Sequence, residues 1–175
     1  ARCAEAGGPG LNPAMSRPRV LILGGTQFIG RATVEALLAT AKYDITIVTR
    51  GRTPSPFDGD ASVRHVLCDR RNGGALRALL ASDTRHWYAV VDFLAFEPDD
   101  VRPILELGAR AGLYVVISTD SVYMACAPAG FVRDAAGRLG EASSFERDAT
   151  RAKEDEYGAD KLAMEVELLL RGGAA

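Results

Sequence analysis

The sequence predicts an α/β fold built on a doubly wound parallel sheet. Three observations carry that prediction. Short apolar runs alternate with longer segments whose apolar residues recur at helical spacing. The connections between them are mostly short, as in strand–helix–strand units. The first apolar run, Val20-Leu21-Ile22-Leu23, ends in the turn Gly24-Gly25-Thr26-Gln27-Phe28-Ile29-Gly30, which leads straight into a helical pattern.

Taken in order, Arg19–Leu23 is a continuous apolar run closed by glycine, the pattern of a buried parallel strand. Phe28–Thr40 carries Ile29, Ala32, Val34, Ala36, Leu37 and Leu38, a helix that packs on a sheet. Asp44–Thr49 is the second strand. Pro54, Pro56, Gly51 and Gly59 then mark a loop. Val63–Cys68 is the third strand, Gly73–Ser82 a short helix, Ala89–Leu94 the fourth strand and Val101–Ala111 a helix. Leu113–Ser118 is the fifth strand. Residues 124–149 are rich in Ala and Gly and are expected to form a long loop. Arg151–Arg171 closes the chain as a helix with Leu162, Val166 and Leu169 on one face.

Composition narrows the function classes. The 175 residues suit one domain with a sizeable core. The apolar share is 47% and the charged share 25%, ordinary for a globular protein. A net charge of −2 gives no global field that would attract DNA, RNA or an anionic membrane. The longest apolar stretches fall well short of a membrane span. Cys3, Cys68 and Cys126 are scattered and lack metal-ligand spacing, so reduced thiols and no metal site are expected. Residues 1–17 are expected to be a disordered leader to a domain over 18–175. Ala1 to Ala14 has no apolar segment of the secretory kind. Met15-Ser16-Arg17-Pro18 reads as a natural start, so the chain is expected to be a fragment, a processed product or a translated upstream stretch. The expected location is cytoplasmic, or organellar if residues 1–14 are the remnant of a transit peptide.

The glycine turn points to a dinucleotide. Gly24 permits a tight turn off the strand, and Gly30 lets the helix approach the sheet closely. The helix N-terminus then offers free N–H groups and a positive dipole end to a pyrophosphate, with Thr26, Gln27, Phe28 and Ile29 around it. Gln27 stands where the middle glycine of a Gly-x-x-Gly-x-x-Gly pattern would be, and its side chain is expected to narrow the approach. A purely steric glycine turn is the alternative. At the end of the second strand, Arg50 and Arg52 stand where a carboxylate would bind a ribose hydroxyl. A guanidinium suits a 2′-phosphate instead, which favours NADP over NAD. Solvated loop charges are the alternative. Asp69, after the third strand, is placed to accept from an adenine amino group or to cap the following helix.

Tyr157 and Lys161 sit four residues apart, on one helix face. An ammonium beside a phenol favours phenolate, which makes a proton-transfer group near neutral pH. Lys161 could also hold the nicotinamide ribose. Ser118, Thr119, Asp120 and Ser121 place hydroxyls and a carboxylate at the carboxyl edge of the sheet, where ligands bind in such folds. Thr119 could bond the same substrate oxygen as Tyr157. Asp120 could be a second acid or base, or a turn residue.

These motifs together resemble the extended short-chain dehydrogenase/reductase superfamily, and within it the NAD-dependent epimerase/dehydratase group with its atypical members. The resemblance covers about residues 18–171 and implies a Rossmann-type fold that binds NADP or NAD. It gives Thr119, Tyr157 and Lys161 the catalytic roles and Asp120 that of a dehydratase acid. Ser121 stands where nucleotide-sugar dehydratases carry glutamate, which argues against 4,6-dehydration. Ala95 matches the segment that lines adenine and ribose. Ser118 is a further candidate for cofactor binding, and Ser118 or Ser121 could substitute for Thr119. Gln27 is a departure shared with atypical members similar to isoflavone-reductase-like and chloroplast RNA-binding relatives. The 38 positions from Thr119 to Tyr157 exceed the family's usual interval, so 124–149 is expected to be an insertion. The family continues beyond this point with a sixth strand and a substrate lobe, so the chain is expected to be its cofactor-binding part.

The implied activity is proton and hydride transfer on a hydroxyl- or carbonyl-bearing small molecule such as a nucleotide sugar. A non-catalytic nucleotide-binding scaffold, or an RNA-associated atypical member, is the rival reading. The resemblance also implies a homodimer through the helices at 101–111 and 151–171.

Overall fold

A strand buried on both faces must be apolar at consecutive positions, and β1 (Arg19–Leu23) and β2 (Asp44–Thr49) meet that need. In the computed structural model, which describes residues 17–72, 74–123, 126–127, 146–147 and 156–172, they form the middle of a parallel sheet. Its order is β3-β2-β1-β4-β5, with β3 at Val63–Leu67, β4 at Ala89–Asp92 and β5 at Tyr114–Val116. Leu23 pairs with Val48 on one side and Asp92 on the other, which brings the carboxyl ends of β1, β2 and β4 level. The strand order reverses between β1 and β4, and such a reversal leaves a crevice at the carboxyl edge.

Alternation along the strands divides the core. Val20, Ile22, Ile45 and Ile47 meet Val34 of α1 (Phe28–Thr40) on one face. Leu21, Leu23, Val48 and Val90 meet Leu76 and Leu80 of α2 (Ala75–Ser82) and Ile104 of α3 (Pro98–Leu105) on the other. Met164 of α4 (Glu156–Gly172) packs with Ala95 and Val101, so α4 lies against α3. The expected doubly wound sheet is therefore present.

Several boundaries differ from expectation. The helix expected over Val101–Ala111 starts earlier and stops sooner. Pro98 opens α3 at its first turn, where a missing N–H costs nothing. Gly108, at φ 52°, follows it and a 3-10 turn occupies Gly108–Arg110. The segment expected to be all loop contains a short antiparallel pair, β6 (Cys126–Ala127) with β7 (Glu146–Arg147). The rest of 124–149, residues 151–155 of the expected last helix and residues 1–16 of the expected leader lie outside the described residues. Among the described residues no helix is long and apolar enough to cross a membrane.

A charged clasp closes the amino-terminal edge. The Arg19 guanidinium lies 3.8 Å above the Trp87 ring and pairs with Asp83 at 2.5 Å. Arg85 pairs with the same carboxylate at 2.9 Å. Hydrogen bonds from Arg85 and Arg19 outweigh burial and hold the Asp83 carboxyl well below the usual carboxylate range.

Candidate functional site

The glycine turn is closed by sterics. Gly24 sits at φ 92°, and a Cβ there would lie 2.8 Å from Leu94 Cγ. A Cβ on Gly30 would lie 1.9 Å from the Gly24 carbonyl oxygen, so only glycine lets α1 start this close to β1. Gln27 lines the cleft without backbone strain. Its backbone is extended, at φ −140° and ψ 160°, a conformation any residue adopts. Its side chain is exposed and caps nothing. The positive φ falls on the next residue, Phe28, at 45°.

The turn borders a cleft of about 310 Å³ at the sheet's carboxyl edge. Gly24, Thr26, Gln27, Phe28, Ile29 and Gly30 line it on one side, Arg50 and Arg52 on a second, Leu94 and Ile117 on a third. The first turn of α1 carries no acidic residue, so its N–H groups and positive dipole end face the cleft without a competing carboxylate. A smaller cavity of about 110 Å³ continues past Arg50 to Asp69, Arg70 and Phe96. Asp69 Oδ1 accepts from the Arg71 N–H at 3.0 Å. It does not cap α2, whose N-cap is Gly74, so the capping alternative fails. The Cys68 thiol is free.

Lys161 is 3% exposed. Its Nζ donates to the Ala95 carbonyl at 2.6 Å and the Ile117 carbonyl at 2.8 Å, which ties together the chain just beyond β4 and β5. It also lies 4.9 Å from the centre of the Phe96 ring. Burial pulls its pKa down, against the nearby charges of Asp92, Asp100 and Glu165. Tyr157 is half exposed and its ring lies 6.1 Å from that of Phe96. Phe96 thus borders both the tyrosine and the lysine. The two side chains share a helix face, as the spacing predicts, without a direct hydrogen bond.

The hydroxyls beyond β5 are arranged unequally. Ser118 Oγ is buried with no hydrogen-bond partner. Such a group is costly unless a ligand or water completes it. Thr119 Oγ1 lies 3.3 Å from Asp120 Oδ1 and accepts from the Ser121 N–H at 3.3 Å. Asp120 is exposed and opens a 3-10 turn over Asp120–Tyr123, which packs against α4.

One cluster escapes the sequence reading. Asp92, fully buried at the end of β4, accepts from Arg70 Nη1 at 2.8 and 3.0 Å, from the Tyr114 hydroxyl at 3.0 Å and from the Leu94 N–H at 2.8 Å. Arg70 also pairs with Asp100. Burial pushes the Tyr114 phenol up, so it stays neutral and donates. The available signal is a carboxylate inside an apolar strand, which demands a partner.

Comparison with known proteins agrees with this fold. The family model described as NAD dependent epimerase/dehydratase family matches residues 20–170. The chain belongs to that family. A curated relative, the chloroplast stem-loop binding protein of 41 kDa b from Arabidopsis thaliana, is 28% identical over 122 residues, 63% of this chain and 32% of the relative. Among solved structures, dTDP-glucose 4,6-dehydratase from Bacillus anthracis with NAD is similar at a TM-score of 0.63 and 19% identity, over 89% of this chain and 50% of that one. UDP-glucuronic acid 4-epimerase from Bacillus cereus, with UDP-glucuronic acid and NAD, aligns at 0.59 and 18%, over 89% and 52%. These likenesses share the Rossmann-type fold. The chain spans about a third of the curated relative and about half of each of these structures.

Proposed function

We propose that the chain is the cofactor-binding part of an NAD(P)-dependent oxidoreductase or epimerase acting on a hydroxyl- or carbonyl-bearing substrate of the nucleotide-sugar kind. The observation that carries this is convergence. An open helix N-terminus borders the cleft, and Lys161 bonds the carbonyl of Ile117 in the cleft wall, one helical turn from Tyr157.

The residues present fit a dinucleotide. The N–H groups at the head of α1, beside Gly24 and Gly30, would hold its pyrophosphate. Asp69, in the cavity beyond Arg50, would accept from adenine. The unpartnered Ser118 hydroxyl is a donor left over for the ribose or nicotinamide side. Exposed Arg50 and Arg52, with no carboxylate between Thr49 and Thr53, favour a 2′-phosphate and hence NADP. The similar dehydratase and epimerase structures hold NAD, and NAD is the alternative cofactor.

When bound, the nicotinamide supplies a hydride acceptor or donor. Tyr157 takes or returns the substrate hydroxyl proton from its half-exposed position on α4. Lys161 gives that helix face a buried positive charge, held by the Ala95 and Ile117 carbonyls. Thr119 orients the same substrate oxygen, and Asp120 stands by as a further acid or base.

The test is Tyr157→Phe, assayed with a panel of UDP- and dTDP-sugars by nicotinamide absorbance for net oxidation or reduction and by chromatography of the sugar products for epimerisation. Turnover is expected to fall by at least about a hundredfold, with cofactor affinity retained. Undiminished turnover would remove Tyr157 from the mechanism. The second reading, a cofactor-binding scaffold that handles RNA, is favoured by likeness to a relative named for stem-loop binding. Stem-loop RNA retention that ignores added cofactor would support it.

A further inference from the structure

The turn that holds Lys161 is itself held from two sides. Ala95, whose carbonyl accepts from Lys161 Nζ, and Phe96, whose ring borders both Lys161 and Tyr157, lie in the turn Leu94–Glu97. Upstream, Asp92 Oδ1 accepts from the Leu94 N–H at 2.8 Å. Downstream, Asp100 Oδ2 accepts from the Phe96 N–H at 2.8 Å and the Glu97 N–H at 3.4 Å. Arg70 bridges the two carboxylates: Nη1 bonds Asp92 at 2.8 Å, Nε lies 3.2 Å from Asp100 Oδ1, and Nη2 donates to the Asp100 carbonyl. The guanidinium therefore spans the turn from outside, at the wall of the smaller cavity.

Charge follows the same geometry. Two carboxylates and one guanidinium leave one net negative charge. Lys161, buried, has only carbonyl oxygens and an aromatic face as direct partners. A buried ammonium needs a counter-charge, or it loses its proton.

We propose that Arg70, Asp92 and Asp100 are positioning residues for the Tyr157–Lys161 pair: they fix the Leu94–Glu97 turn and set one net negative charge beside the lysine. The proposal rests on the roles assigned above to Tyr157 and Lys161. Without the cluster, Ala95 and Phe96 lose their fixed places and the ammonium its support. The other charges that act on Lys161 are Glu165 on α4, in the same sense as Asp92 and Asp100, and Arg70, in the opposite sense. Tyr157 joins them when ionised.

The experiment is a titration of Lys161 by NMR in the 175-residue chain with isotope-labelled lysine and no cofactor. Only three lysines are present, Lys42, Lys153 and Lys161, so Lys42→Arg and Lys153→Arg assign the signals. Asp100→Asn removes the charge and keeps an oxygen that accepts from Phe96. It is expected to lower the Lys161 midpoint by about one pH unit, a tenfold loss of proton affinity. The Phe96 and Glu97 amide signals should stay near their places. Asp100→Ala should lower the midpoint and also displace those amides. Glu97→Gln, in the same turn but outside the cluster, should leave the midpoint unchanged. A Lys161 midpoint identical in folded Asp100→Asn and the parent chain overturns the proposal. Asp92→Asn is a second arm, and Asp100→Asn decides if that variant fails to fold. An inactive role for Tyr157 would show in the Tyr157→Phe assay and leave this titration intact, so the two failures are distinguishable.

Discussion

Gly30 shows how a single atom decides the site. Its missing Cβ leaves the room that the Gly24 carbonyl fills, since the added carbon would lie 1.9 Å from that oxygen. Gly30→Ala must push α1 away from β1. We expect a loss of about 1–3 kcal/mol in stability and, in calorimetry, a cofactor affinity at least tenfold weaker. Gly172→Ala, where a Cβ would make only an ordinary contact of 3.9 Å with Leu105, is the control and should weaken neither. This much was legible in the chain, because a glycine turn between a strand and a helix has few other causes. Gln27 was less so. Its spacing marks a departure from the family pattern, but only its φ of −140° shows that the backbone conformation there does not call for glycine. Asp92 was legible only as an oddity. Its partner Arg70 lies 22 residues earlier, on a different strand's exit, and no local pattern links the two.

At the level of elements, periodicity placed the strands well and the helix ends less well. Apolar runs mark β1 and β2 because burial on both faces favours apolar residues, Thr46 being the polar exception inside β2. Helix α3 was misplaced because its first turn, Pro98-Asp99-Asp100, is polar and carries no apolar period, while Gly108 ends the pattern earlier than the apolar residues do. The pairing of β6 with β7 joins residues about twenty apart through Ala- and Gly-rich sequence, where spacing gives no register. The clasp at the opposite edge makes a further prediction. Asp83 joins Arg19 on β1 to Arg85 before β4, over Trp87. Its folded pKa lies below its unfolded value, so its contribution is present above the unfolded carboxylate pKa of about 3.9 and is lost as pH falls through the folded value. Asp83→Asn should therefore cost about 1.5–3 kcal/mol near neutral pH. In denaturant titrations across pH, that difference should shrink on acidification below about pH 4. A constant difference down to low pH would assign the loss to packing instead.

For the whole molecule, the sheet order β3-β2-β1-β4-β5 gathers every element of the candidate site at one edge. The glycine turn follows β1, Arg50 follows β2, Asp69 and Arg70 follow β3, Ala95 and Phe96 follow β4, and Ser118 and Thr119 follow β5. Helix α4 then returns Tyr157 and Lys161 to that edge, where Lys161 bonds the chain beyond both β4 and β5. Parallel topology explains why residues so far apart in sequence meet, and why the order of the motifs along the chain was informative before any contact was known. The cofactor is the point on which the account turns. The most direct measurement is calorimetric titration of this chain with NADPH and, in parallel, NADH. The account predicts micromolar binding of NADPH and weaker binding of NADH, with the difference lost in Arg50→Ala. A folded chain that binds neither would contradict the reading of the cleft as a dinucleotide site.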